Sequence, residues 1–251
     1  MKTFTPDWIA WIKTNVEAGV NKDAIFKILL DAGHAHDYIQ KEMGYTPSLW
    51  LGVSDNPRRA LHEFLPNYTR TGFTKLPAPT LLFRKILEFY RVGLESQKDE
   101  FVEGEFIVNP STPSRAPSTL IDLPDELRTE IHDTLKPLIE AWCGLSVEPS
   151  YVYGIRLYRD KAVLKPHRDR IETHIFGVIL NVDQNVREDW LLMIEDHAYN
   201  EHQITLKPGE MLFYESARLK HGRPIPLEGS VFANIFSHFT PTGYIPPKET
   251  T

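Results

Sequence analysis

Lys165-Pro166-His167-Arg168-Asp169 is answered 54 residues later by His221 in His221-Gly222-Arg223-Pro224. Two imidazoles and one carboxylate are the set with which non-haem Fe(II) is held on one face, leaving open positions for oxygen and a co-substrate. His167 and Asp169 are two apart, so on a strand they project to the same side and can grip one ion together. His221 must then arrive from a distant strand.

The tripeptide alone is cheap. With ten His and thirty-four acidic residues, about one chance His-x-Asp/Glu match is expected somewhere in the chain. The surroundings give it weight. Residues 151–158 (Tyr-Val-Tyr-Gly-Ile-Arg-Leu-Tyr) have the aromatic and branched composition of a strand, and Arg159-Asp160-Lys161 turns the chain into the His-x-Asp segment. Pro208-Gly209 opens a second strand, Glu210 to Glu215, before the loop that carries His221. Pro224, Pro226 and Gly229 then punctuate a turn into a third strand, Ser230 to Phe239.

This arrangement resembles the Fe(II)/2-oxoglutarate-dependent oxygenases, and most closely their prolyl 4-hydroxylase-like branch. The resemblance covers about residues 150–240. It is carried by Tyr158 before its turn, the Pro-His-x-Asp core, Pro-Gly-Glu-Met-Leu-Phe-Tyr at 208–214, and His-Gly-x-Pro at 221–224 with Gly229 eight residues after His221. It implies an α+β chain whose core is a double-stranded β-helix, or jelly-roll barrel, backed by helices. It also implies that His167, Asp169 and His221 bind Fe(II), that Tyr158 bonds 2-oxoglutarate, and that O2 is the oxidant. The implied reaction is hydroxylation of an unactivated C–H, the presence of Asp169 arguing against halogenation.

One departure matters. The family usually places a Lys or Arg nine or ten residues after the distal His to pair the far carboxylate of 2-oxoglutarate, and here those positions are Ser230 and Val231. Arg156 is the preferred substitute, because it shares the strand face of Tyr158 and its planar fork suits a carboxylate. Arg223 is a second candidate. Arg168 and Arg170, flanking Asp169, are then available for a substrate carboxylate. Four Arg near the site exceed what 2-oxoglutarate needs, which favours a small carboxylate-bearing substrate such as a free amino or imino acid. The alternatives are a peptidyl-prolyl hydroxylase, an iron oxidase that uses no 2-oxoglutarate, and a non-catalytic metal-bearing scaffold. His174, His197, His202 and His238 carry no such frame and are read as structural.

Composition agrees. A hydrophobic fraction of 41% and a charged fraction of 25% are those of a globular protein, and a net charge of −6 argues against nucleic acid as a partner. There is no run of ~18 apolar residues to span a membrane and no signal-peptide core at the start. Cys143 is the only cysteine, so no internal disulfide forms, and a reducing cytoplasm is the expected location.

Two parts are expected. Residues 1–50 predict three short helices separated by Gly19, Gly33 and Gly44, the third over 34–43. They faintly resemble ubiquitin-associated modules. Packing on the barrel is favoured for them, with a protein-partner role as the alternative. Residues 51–251 form the oxygenase domain. Within it a helix is expected over 81–90, a strand over 101–108, and a mobile Pro/Ser loop over 109–118 with a lid role as its alternative. A helix over 125–142 should kink or break at Pro137.

Overall fold

A computed structural model describes residues 3–45, 62, 65–102 and 104–247. The chain opens with α1 (Pro6–Glu17), α2 (Lys22–Asp31) and α3 (His36–Met43). Proline in the first turn and the Thr5 hydroxyl, which accepts from the Trp8 amide, start α1. Gly44, at φ 56°, ends α3 in the left-handed conformation that suits glycine. The third helix begins two residues later than expected, because Ala35 stays extended as its cap. Phe4, Ile25, Phe26, Leu29 and Ile39 are buried together beneath Trp8 and Trp11, an apolar cluster of their own.

The remainder runs β1 (Phe73–Pro77), α4 (Thr80–Gly93), β2 (Lys98–Glu100), β3 (Ile107–Val108), β4 (Ser118–Ile121), α5 (Asp125–Cys143), β5 (Val147–Val152) and β6 (Ile155–Tyr158). It continues with β7 (Val163–His167), β8 (Phe176–Val186), β9 (Leu192–Glu195), β10 (Glu201–Ile204), β11 (Glu210–Tyr214), β12 (His221–Arg223) and β13 (Gly229–Pro241). These strands form two antiparallel sheets. The larger has the order β1-β11-β8-β13-β6-β4-β2, with β5 also on β13, and the smaller has the order β10-β9-β12-β7-β3. This is the expected jelly roll with supporting helices.

Strand alternation divides the larger sheet's side chains between two apolar clusters. Val178, Leu180, Met211, Phe213, Ala233 and Ile235 face the helices, where Leu82 and Ile86 of α4 and Leu127, Ile131, Leu135 and Ile139 of α5 meet them. Tyr158, Ile179, Leu212, Tyr214, Phe232 and Phe236 face the other way, toward Leu164, Leu192 and Ile194 of the smaller sheet. Burying each large apolar side chain contributes about 1.5–3 kcal/mol, so the two clusters together fix which face each strand turns inward.

Three local expectations change. Of the strand foreseen over 101–108 only Ile107–Val108, β3, forms; Gly104 (φ 82°) and Glu105 (φ 52°) turn the chain ahead of it, and β2, which ends at Glu100, lies in the other sheet. Helix α5 runs through Pro137. Pro137 lies on the exposed side, as does Asp133, whose carbonyl has no amide proton at 137 to accept. The Pro/Ser segment is held at both ends. The Asn109 side chain accepts from the Ser111 and Thr112 amides and donates to the Asp160 carbonyl, while Arg159 donates to the carbonyls of Ala116 and Pro117. Among the described residues no helix is long and apolar enough to cross a membrane.

Candidate metal centre

Strands β7 and β12 pair antiparallel, and His221 is the direct register partner of His167. Their imidazoles therefore face each other across one ladder, with ring centroids 4.5 Å apart. Gly222 makes the approach possible. A Cβ there would stand 2.8 Å from both Cα and N of Pro166 and 3.0 Å from the Leu164 carbonyl oxygen, all backbone that cannot move aside. Asp169 is just beyond the end of β7, where its amide donates to the Ser216 carbonyl. It reaches the pair from the irregular segment after the strand, not from the strand itself.

The ligand atoms converge. Asp169 Oδ1 is 3.5 Å from His167 Nε2 and 3.7 Å from His221 Nε2, a spacing that one ion can bridge. His167, Asp169 and His221 form a group whose ligand atoms all lie within 4.8 Å of one another. The tautomers are set as well. His167 Nδ1 is 2.8 Å from the Lys165 carbonyl oxygen and His221 Nδ1 is 2.9 Å from that of Leu219. A carbonyl only accepts, so both protons sit on Nδ1 and both Nε2 lone pairs point inward.

Electrostatics favour the binding-competent charge states. Burial, reinforced by the neighbouring His167, lowers the His221 pKa to about 4, keeping that ring neutral at pH 7. Burial would raise the Asp169 carboxyl, but His221, His167 and His238 hold it well below its usual value. The donor set, two imidazole nitrogens and one carboxylate oxygen, fits a divalent first-row ion.

No protein-family model and no curated protein matches this sequence. Solved structures do match in shape. A prolyl-4-hydroxylase from Pseudomonas putida superposes with a TM-score of 0.51 at 14% identity, over 68% of this chain and 93% of its own. HygX from Streptomyces hygroscopicus, with nickel and 2-oxoglutarate bound, gives 0.51 at 14%, over 71% and 86%. The non-haem α-ketoglutarate-dependent epimerase SnoN of nogalamycin biosynthesis gives 0.52 at 12%, over 73% and 82%. The chain has the Fe(II)/2-oxoglutarate oxygenase fold.

Within that fold the four arginines separate. Arg156 shares the inward face with Tyr158, but both arms of its fork are taken: Nε and Nη2 each donate to Glu100 at 2.7 Å. Arg168 donates from Nε to the Arg218 carbonyl at 3.0 Å and lies 3.7 Å from Glu195. Arg223 is fully enclosed, its guanidinium 4.8 Å from the Trp190 ring and 4.5 Å from the Phe232 ring. One arm donates to the Trp190 carbonyl, and Nη2 has no partner. Burial lowers its pKa to about 10, with Tyr158 pulling the other way. Arg170 is exposed at the rim and acts electrostatically on Tyr153 and His174.

Four contributors escaped the sequence reading. His238 Nε2 lies 3.4 Å from Asp169 Oδ2, and the Tyr214 hydroxyl donates to the same oxygen at 3.4 Å. His174 lies against His238, with centroids 3.8 Å apart. Strand parity carries the signal for two of them, since Tyr214 and His238 share the inward phase of Leu212 and Phe236. His62, buried, adds a 2.7 Å contact to the Asp169 carbonyl oxygen.

Proposed function

We propose that this protein is an Fe(II)- and 2-oxoglutarate-dependent dioxygenase that hydroxylates a small, carboxylate-bearing substrate such as a free amino or imino acid. The observation that carries this reading is the convergence of His167 Nε2, Asp169 Oδ1 and His221 Nε2, with both Nδ1 protons pinned to backbone carbonyls, inside a fold of this class. When bound, Fe(II) with O2 and 2-oxoglutarate supplies an oxidant that inserts one oxygen atom into a C–H bond, the other ending in succinate as carbon dioxide leaves.

The chain's own residues do the rest. Two neutral imidazoles and one carboxylate leave a divalent ion with a net charge of +1, which favours an anionic 2-oxo acid. Arg223 offers the far carboxylate a desolvated guanidinium Nη2 that has no hydrogen-bond partner among the described residues. In a dry site such a charge-assisted pair is stronger than in water. Arg156 is the weaker candidate for that task, because Glu100 fills its fork. Arg170, one residue beyond Asp169, gives the substrate's carboxylate a cation at the rim. Tyr158, Tyr214 and Trp190, all buried, line the interior with rings and limit water.

The test is an anaerobic titration of metal-free protein with Fe(II) and then 2-oxoglutarate, following the visible charge-transfer band of a chelated 2-oxo acid. A saturable band that vanishes in His167→Ala supports the reading. Tight iron binding without any band sinks the 2-oxoglutarate assignment.

A further inference from the structure

We infer that His238 and Tyr214 are positioning residues that grip the outer oxygen of Asp169 and so present a single oxygen, Oδ1, to the ion. The inference rests on the metal reading of His167, Asp169 and His221 above. Asp169 needs such a grip because it stands past the end of β7, where no ladder fixes its side chain. Its two oxygens have separate company. Oδ1 faces the two ligand imidazoles at 3.5 and 3.7 Å, while Oδ2 faces His238 Nε2 and the Tyr214 hydroxyl, each at 3.4 Å.

The fold prepares this. His238 of β13 and Tyr214 of β11 are both register partners of Gly177 on the strand between them, β8. The three residues form one row across the middle of the larger sheet, and its central member has no side chain. A Cβ at 177 would stand 2.6 Å from Tyr214 Cε1 and 2.9 Å from Ser216 Cβ. The gap lets the Tyr214 ring lean over the central strand, and His238 reaches the same carboxylate from the opposite side. His174 backs the His238 ring at 3.8 Å and is itself held, since Ser216 donates to its carbonyl at 2.7 Å.

Tautomer chemistry separates His238 from the ligands. His167 and His221 keep their protons on Nδ1 and offer Nε2 lone pairs inward. His238 turns Nε2 toward a carboxylate oxygen, and its buried Nδ1 has no hydrogen-bond partner, so its proton belongs on Nε2. An N–H aimed at Asp169 is a donor, not a fourth ligand. Outer partners of this type orient a ligand and tune its basicity.

The experiment is a Co(II) titration of metal-free wild type, His238→Leu, His238→Gln and Tyr214→Phe, read by visible ligand-field absorption, with His167→Ala as the ligand control and a thermal melt to check folding. Gln keeps an N–H near the imidazole's position. The expectation is a roughly 10- to 100-fold loss of Co(II) affinity in His238→Leu, with a shifted spectrum as the carboxylate rotates. Gln should recover most of both, and Tyr214→Phe should lose a few-fold in the same direction. Unchanged affinity and spectrum in His238→Leu overturn the inference while leaving the metal centre standing. Loss as complete as in His167→Ala makes His238 a ligand and overturns it too. Should the Leu variant not fold, Tyr214→Phe decides, because it keeps the ring and removes only the hydroxyl; no change there overturns the grip. A wild type that binds no Co(II) overturns both this inference and the reading beneath it.

Discussion

Replacing Arg223 with Met separates a ligand-binding role from a structural one. Folding encloses its charge, and the fall in pKa from 12.5 to about 10 corresponds to about 3 kcal/mol against the charged form. Two ring faces and one carbonyl offset that cost. At about 0.5–2 kcal/mol per ring contact and about 1.5–3 for a charged hydrogen bond, the gain is of similar size. Met fills much of the same volume, so metal-free stability in urea should stay within about 2 kcal/mol of wild type. Co-substrate binding should respond very differently. Removing one partner of a buried, hydrogen-bonded charge pair costs about 2–5 kcal/mol, which is roughly 30- to 5,000-fold in Kd for 2-oxoglutarate. The assay is the anaerobic charge-transfer titration, repeated with pyruvate, a 2-oxo acid that lacks the far carboxylate. Pyruvate should bind the Met variant and wild type alike. A 2-oxoglutarate Kd within threefold of wild type would refute the reasoning, as would an equal loss for pyruvate.

Glu100→Ala leaves Arg156 buried without its carboxylate and should cost about 3 kcal/mol in chemical denaturation while changing 2-oxoglutarate affinity little. A tenfold loss of that affinity at full occupancy of the folded state would return the anchoring role to Arg156. Gly222→Ala pushes β12 off the backbone at Leu164 and Pro166. Overpacking of this kind costs about 1–3 kcal/mol, and because His221 and His167 face each other across that ladder, Co(II) affinity should fall at least about tenfold; equal affinity would show that the ladder tolerates the methyl. His174, whose pKa burial lowers to about 3, should make metal-free stability depend on pH. Between about pH 6.5 and 3 the unfolded chain binds a proton that the folded one refuses, so stability is full above 6.5 and falls as pH drops. The loss is about 2 kcal/mol at pH 5, and urea titrations of wild type and His174→Gln at pH 7.5 and 5 should differ by that amount.

The candidate metal group of His167, Asp169 and His221 was legible because its signal is local chemistry: a Pro-His-x-Asp run, a strand, a turn and a His-Gly pair. The helices were legible from their apolar spacing and glycine stops. What escaped depends on which strands become neighbours. Strand parity turns His238 and Tyr214 inward, but their convergence on one oxygen of Asp169 requires β11, β8 and β13 to lie side by side with Gly177 between them. The commitment of Arg156 is equally invisible in sequence. Its partner lies 56 residues earlier, on the three-residue β2, which approaches only because β4 separates it from β6 in the sheet. Position in the chain ranked Arg156 above Arg223; the sheet order commits the Arg156 fork to Glu100, which is why the proposal favours Arg223.

The two arginines differ physically. Arg223 is buried and Arg156 nearly so, yet Glu100 neutralises Arg156 and, among the described residues, no carboxylate pairs with Arg223. An enclosed cation with only a carbonyl and two ring faces is a poor device for stability, since an apolar side chain of similar size would pack there without the desolvation cost. Its placement becomes economical once a carboxylate arrives from outside the chain. The unpaired Nη2 of Arg223 is therefore a stronger reason than a filled fork to propose an anionic ligand, and under that proposal Arg223 is the cation that Ser230 and Val231 do not supply.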